Sequence, residues 1–173
     1  VYDRATEKAY GTFVTKLVGL AKNTAMDRDE ALDVERWQAI IDQHDLRIDA
    51  DGGGYTVATG IELAQKVLWR SAEDHTTIDY DDMLWLPYLY DVSFFRNDWV
   101  FVDEAQDTNW LQLELVRRML KPNGRLIAVG DRGQAIYGFR GADATAMDNI
   151  AEVFSCTELP LSVCYRCSVH VVQ

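Results

Sequence analysis

The chain predicts an α/β fold, a parallel sheet with crossover helices, preceded by an all-helical segment. Three observations point there. Three short β-type runs, 99–102, 125–129 and 156–163, lie in the second half of the chain. The stretches between them, 110–120 and 142–154, space their apolar residues as helices do, and strands alternating with helices form parallel sheets. Residues 1–78 show helical periodicity alone. With 173 residues, 48% of them apolar, the chain can bury one good-sized domain, or a domain with a small appendage.

The first helix is expected over 5–22, where Tyr10, Phe13, Val14, Leu17, Val18 and Leu20 recur near helical spacing before Asn23 and Thr24 break it. Residues 29–44 repeat the pattern through Ala31, Leu32, Val34, Trp37, Ile40 and Ile41. The run Asp51-Gly-Gly-Gly54 is a loop. A third helix over 60–72 carries Ile61, Leu63, Ala64, Val67, Leu68 and Trp69. The style changes after Thr77, which sets a boundary between a helical subdomain, 1–78, and an α/β segment, 79–173. IDYDDMLWLPYLY opens a helix over 79–90 with an acidic cap, and Pro87 kinks or ends it. Lys121, Pro122 and Gly124 close the helix over 110–120.

The net charge of −11 argues against nucleic-acid binding through a basic surface. It leaves open single-strand binding by stacking, and aromatic residues make up 11% of the chain. No apolar run approaches the roughly 20 residues of a membrane span, and no secretory leader opens the chain. Cys156, Cys164 and Cys167 are too few and too clustered for a disulfide framework and fit a reducing compartment. With His170 they invite a zinc reading, against which stand plain buried thiols on a strand and its exit turn.

In parallel sheets ligands gather at the carboxyl ends of the strands. There the chain places Asp103-Glu104-Ala105-Gln106-Asp107 after the first run and Gly130-Asp131-Arg132-Gly133-Gln134 after the second. Cys164-Tyr165-Arg166 follows the third. Three acids beside a core strand repel one another and resist desolvation, so they suit a hydrated divalent metal carrying phosphate. One carboxylate can hold a metal through water while its neighbour takes the proton of an attacking water. A glutamine can orient that water, and an arginine can neutralise charge as phosphate is transferred. The set reads as nucleoside-triphosphate hydrolysis.

VDEAQDTNWLQLELVRRML, VGDRGQAIYGFRGAD and LSVCYRCS resemble motifs II, III and IV of the UvrD/PcrA/Rep-type superfamily-one DNA helicases. IDYDDMLWLPYL resembles the D-F/Y-x-D-L/M segment that precedes motif II in that family. The resemblance covers roughly residues 79–168, with four motifs in the family's order. It implies a partial RecA-like motor domain (1A) ending at motif IV, with residues 1–78 as the accessory 1B-like subdomain. It further implies ATP and Mg²⁺ as cofactors and single-stranded DNA or DNA junctions as partners.

By residue, the resemblance implies that Asp103 holds Mg²⁺ through water, with Glu104 at the metal and acting as general base. Gln106 and Asp107 tie motif II to neighbouring motifs, and Asp131 stands with them around the nucleotide. Gln134 contacts the terminal phosphate or the water. Tyr137 and Phe139 lie against the DNA strand, Phe139 stacking on a base. Arg140 pairs with motif II or touches the strand, and Arg166 reaches the γ-phosphate. A cytoplasmic, nucleoid-associated protein of a bacterial, archaeal or phage-infected cell is implied, neither secreted nor in a membrane. Departures are Cys164 and Cys167, where the family has Asn and Ser, and Arg132, where an acid or proline is common.

No G-x-x-x-x-G-K-S/T run occurs, and Gly52–Gly54 lacks the lysine and the strand-loop-helix setting of a phosphate loop. The expectation is therefore a fragment of an ATP-dependent DNA helicase or translocase, inactive alone. Its remaining partners would be a preceding phosphate-loop segment and a second motor domain of the same protein. Two alternatives stand beside it. One is a truncated, non-catalytic homologue that binds DNA or protein. The other is a metal-dependent phosphatase or nuclease built on Asp103, Glu104, Asp107 and Asp131, which leaves Gln134, Tyr137, Phe139 and Arg166 unexplained.

Overall fold

The apolar stripes read from the sequence become helices packed on one another. The computed structural model describes residues 4–48, 56–135 and 145–161. In chain order these form α1 (Arg4–Asn23), α2 (Val34–Gln43), α3 (Val57–Glu73), α4 (Asp82–Leu89), β1 (Asn97–Val102), α5 (Trp110–Met119), β2 (Leu120–Ala128) and α6 (Ala146–Val153). Single turns of 3₁₀-helix lie at Glu30–Leu32, Ala105–Asp107 and Arg132–Gln134.

Side-chain caps set the starts of α2 and α3. Asp33 accepts from the Glu35 amide ahead of α2, and Thr56 accepts from the Thr59 amide ahead of α3. Four helices end on a left-handed residue that is not glycine: Ala25 after α1, Asp45 after α2, Asp91 after α4 and Ser155 after α6. Pro87 lies inside α4 without ending it, and the helix runs on to Leu89.

The larger core gathers Phe13, Leu17, Ala21, Trp37, Ile41, Ile61 and Leu68 from the helical segment. It continues without a break into Trp85 of α4 and Leu111 and Leu115 of α5. Both buried indoles find acceptors, Trp37 on the Ala31 carbonyl at 3.0 Å and Trp85 on the Met26 carbonyl at 2.8 Å. Fully buried Lys22 also sits here, its ammonium 2.9 Å from Asp79 and 2.7 Å from Asp82. Burial pushes the Asp79 carboxyl up, but the Asp82 amide and Lys22 outweigh it and hold the group below its ordinary range.

Among the described residues the sheet has two strands, β1 and β2, parallel, with Trp99 opposite Arg125 and Val102 opposite Ala128. Helix α5 makes the crossover between them. Leu113 of α5 and Ile150 of α6 pack with Val102, Leu126 and Ala128 in a second, smaller core. Alternation then turns Trp99, Phe101 and Ile127 to the other face, where they stand in solvent.

Two expectations change. Strand β2 begins at Leu120 rather than Arg125, so Lys121, Pro122 and Gly124 lie inside it. Asn97 pairs with Leu120 and Trp99 with Arg125, and the intervening residues bulge. Gly124 permits this, since a Cβ there would come within 2.9 Å of the Leu120 side chain and 3.0 Å of the Asn97 carbonyl. The third β-type run forms no strand over its described part, Cys156 to Leu161. A short apolar run becomes a strand only by pairing, and Leu159 and Leu161 stand exposed.

Candidate functional site

Motif II begins where β1 stops. The Val129 amide donates to the Val102 carbonyl at 2.8 Å, and the Ala105 amide donates to the Val129 carbonyl at 2.9 Å. The parallel ladder thus carries past both strands and anchors the acidic loop to the end of β2. Between these bonds the chain turns sharply at Glu104, whose φ of 50° is left-handed. For a glutamate this backbone costs about 1–2 kcal/mol relative to glycine. Unlike the other described left-handed residues it closes no helix. Strain of this kind gathers at ligand sites.

Gln106 is the buried hub of the site. Its Nε2 donates to Glu104 Oε2 at 2.7 Å, and its Oε1 accepts from the Asp131 amide at 3.0 Å. One side chain therefore joins the loops that follow the two strands. Gly130 makes the approach possible, because a Cβ there would fall 2.6 Å from Gln106 Oε1 and 2.9 Å from Met147 Sδ. Asp131 then turns back on its own loop, accepting from the Gly133 amide at 2.9 Å and from Gln134 Nε2 at 2.7 Å. The Gln134 side chain, and after it the Gly133 amide, hold the Asp131 carboxyl below its ordinary range. Hydrogen bonds thus run from Glu104 through Gln106 and Asp131 to Gln134.

An open cleft of about 360 Å³ lies beside motif II, lined by Val102, Asp103, Glu104, Asp107, Thr108, Gln112 and Val116. Asp103 Oδ1 accepts from the Glu104 amide at 3.0 Å, which stiffens the turn. Asp107 Oδ1 is buried and has no hydrogen-bond partner among the described residues. An orphaned buried acceptor costs about 1–3 kcal/mol and in native proteins calls for a ligand or partner. No three His, Cys, Asp or Glu side chains among the described residues close on one point as a preformed metal cage.

The structure brings together Asp103, Glu104, Gln106, Asp107, Asp131 and Gln134. Tyr137, Phe139, Arg140, Arg166, Cys164, Cys167 and His170 lie outside the described residues. Cys156 is half-buried, its thiol pushed up by burial and directed at the Ile150 carbonyl. Arg132, a departure from the family pattern, has a local task. It bridges Asp148 of α6 and Glu158, each at 2.7 Å, and so ties the loop after β2 to two later segments. The other residue that sequence reasoning missed is Asn109, which caps α5 in a reciprocal capping box with Gln112. Its signal was present in the sequence as N-x-x-Q ahead of an apolar run.

Residues 43–155 match the model of the UvrD/REP helicase N-terminal domain. The chain is similar to the ATP-dependent DNA helicase Rep of Escherichia coli (strain K12), 32% identical over 108 residues, covering 56% of this chain and 16% of that protein. The Rep of Salmonella typhimurium has the same identity and coverage. The probable DNA helicase II homolog of Mycoplasma genitalium is 37% identical over 76 residues, covering 42% of this chain and 11% of that protein. The matched region thus spans a small part of each relative. The match runs across both strands, the acidic loop and the glycine-bearing loop, and the chain belongs to the UvrD/REP helicase N-terminal domain family.

Proposed function

We propose that this chain is part of an ATP-dependent DNA helicase or translocase, in which it supplies the water-activating half of the ATP site. The hydrogen-bonded path from Glu104 through Gln106 and Asp131 to Gln134, at the carboxyl ends of adjacent parallel strands, carries the reading. Related proteins named ATP-dependent DNA helicases support it. In this reading residues 1–78 are the accessory helical subdomain, and 79–173 are the rear of a RecA-like motor domain.

Glu104 is the general base. Glu104 lines the cleft, and the bond from Gln106 Nε2 fixes one carboxylate oxygen while leaving the other for a water proton. Asp103 is the residue to hold Mg²⁺, which when bound would neutralise charge on the phosphates. Asp107, with its orphaned oxygen, is placed to accept a donor from a neighbouring segment. Gln134 lies at the far end of the path, where a change at the terminal phosphate would be felt through Asp131 and Gln106 at the base. Tyr137 and Phe139, which follow Gln134 in the sequence, are the residues proposed for stacking on single-stranded DNA, together with Arg140. Arg166 is proposed for the γ-phosphate.

A phosphate loop and a second motor domain are proposed from elsewhere in the same polypeptide. The solvent-facing Trp99, Phe101 and Ile127 fit such an addition, since parallel sheets are normally covered on both faces. The 173-residue chain alone is expected to hydrolyse little or no ATP. A strand-displacement assay on the intact protein tests the reading. Unwinding that needs ATP and Mg²⁺ supports it. DNA binding with no nucleotide-dependent activity would favour the non-catalytic homologue, and Mg²⁺-dependent DNA cleavage without nucleotide would favour the nuclease.

A further inference from the structure

Asn23 ends α1, eighty-six positions before the cap of α5, yet the two side chains meet. Asn109 Nδ2 donates to Asn23 Oδ1 at 2.6 Å, and both residues are buried. The remaining polar atoms leave one arrangement for the two amides. Asn109 Oδ1 accepts from the Gln112 amide at 2.9 Å as the helix cap, so its nitrogen must face outward. Asn23 must then offer its oxygen to Asn109 and its nitrogen elsewhere. That nitrogen donates to the Gly19 carbonyl at 2.9 Å and to Asp81 Oδ1 at 3.2 Å, both acceptors. Flipping either amide would set donor against donor.

The surroundings hold Asn23 in place. A Cβ at Gly19 would lie 3.1 Å from Asp81 Oδ2, so the bare glycine lets the acidic segment close on α1. One residue earlier, Lys22 bonds Asp79 and Asp82, and Asp82 also accepts from Ser71 Oγ of α3 at 2.8 Å. Asn109 stands two positions after Asp107 and five after Glu104, at the exit of the acidic loop. Beside the packing of Leu111 and Leu115 into the helical core, this side-chain bond is the polar tie between that exit and the end of α1.

We propose that Asn23 is a positioning residue for the acidic loop, acting through Asn109 to hold residues 103–108 against the helical core. The consequence for hydrolysis rests on the function proposed above, whereas the positioning rests on the geometry alone. Amide hydrogen exchange on the full chain separates the two. Asn23→Ala should speed exchange at Ala105, Asp107 and Thr108 by about tenfold, the scale of one buried hydrogen bond, and leave Val129 and the helical core amides unchanged. In an Asn109→Ala background the same substitution should add nothing. Acceleration spread evenly over α1–α3, unchanged loop exchange, or additive effects in the double variant would each overturn the proposal. A lack of ATP hydrolysis in the intact protein would bear on the proposed function alone.

Discussion

Glu104 combines the chemistry of the site with its least comfortable backbone. Its left-handed φ of 50° turns the chain off β1 within one residue, and the consecutive acidic residues Asp103 and Glu104 both line the cleft. The usual ranking of alanine over glycine should invert here. Glu104→Gly and Glu104→Ala both lose the side chain, but only alanine keeps the Cβ that this conformation penalises. Glu104→Gly should be the more stable of the two by about 1 kcal/mol in urea denaturation. Alanine equal or superior to glycine would show the strain to be absent. This backbone was not legible in the sequence, and for the bond between Gln106 and Asp131 only the family resemblance offered a hint, that Gln106 ties motif II to a neighbouring motif. Non-glycine residues carry no mark of a positive φ, and a contact across twenty-five positions leaves no local pattern.

At the scale of elements, α5 joins two cores. Leu111 and Leu115 reach into the helical cluster, while Leu113 packs on the sheet. Leu111→Ala should destabilise the protein by about 2–5 kcal/mol, as removal of a fully buried leucine does. Phe101, 70% exposed on the bare face of β1, should tolerate Phe101→Ser at a cost under about 1 kcal/mol. Equal losses for the two would contradict the assignment of faces. The helices were readable because 3.6-residue periodicity is a local signal, and four of them lie within a few residues of expectation. The strands were less so. A run such as 156–163 announces its apolar character but not whether a partner strand lies beside it. The early start of β2 depends on a bulge that only the pairing with Asn97 reveals.

At the scale of the whole molecule, one polar cluster ties the acidic segment to the helical core. Lys22 is buried with Asp79 and Asp82 as partners. Against the burial that raises it, the Asp82 amide and Lys22 hold the folded Asp79 carboxyl below its unfolded value. The sign follows: the fold favours the ionised form, so the contribution is complete above the ordinary carboxylate range. It disappears as pH falls through the lowered folded value. Asp79→Asn should therefore be less stable than wild type above about pH 5, with the gap closing below about pH 4. Urea midpoints measured from pH 7 to pH 3 check this. A gap that stays constant or widens on acidification would contradict it.

The family assignment places the chain among helicase N-terminal domains. In the proposed function Glu104, steered by Gln106, is the residue that would activate the hydrolytic water. The most direct measurement is steady-state ATP hydrolysis by the intact protein with saturating Mg²⁺ and single-stranded DNA, comparing wild type with Glu104→Gln. With Glu104 as general base, kcat should fall by about 10²–10⁴-fold, the range of a positioned general base, while the KM for ATP changes little. A Glu104→Gln protein that kept wild-type kcat would contradict it.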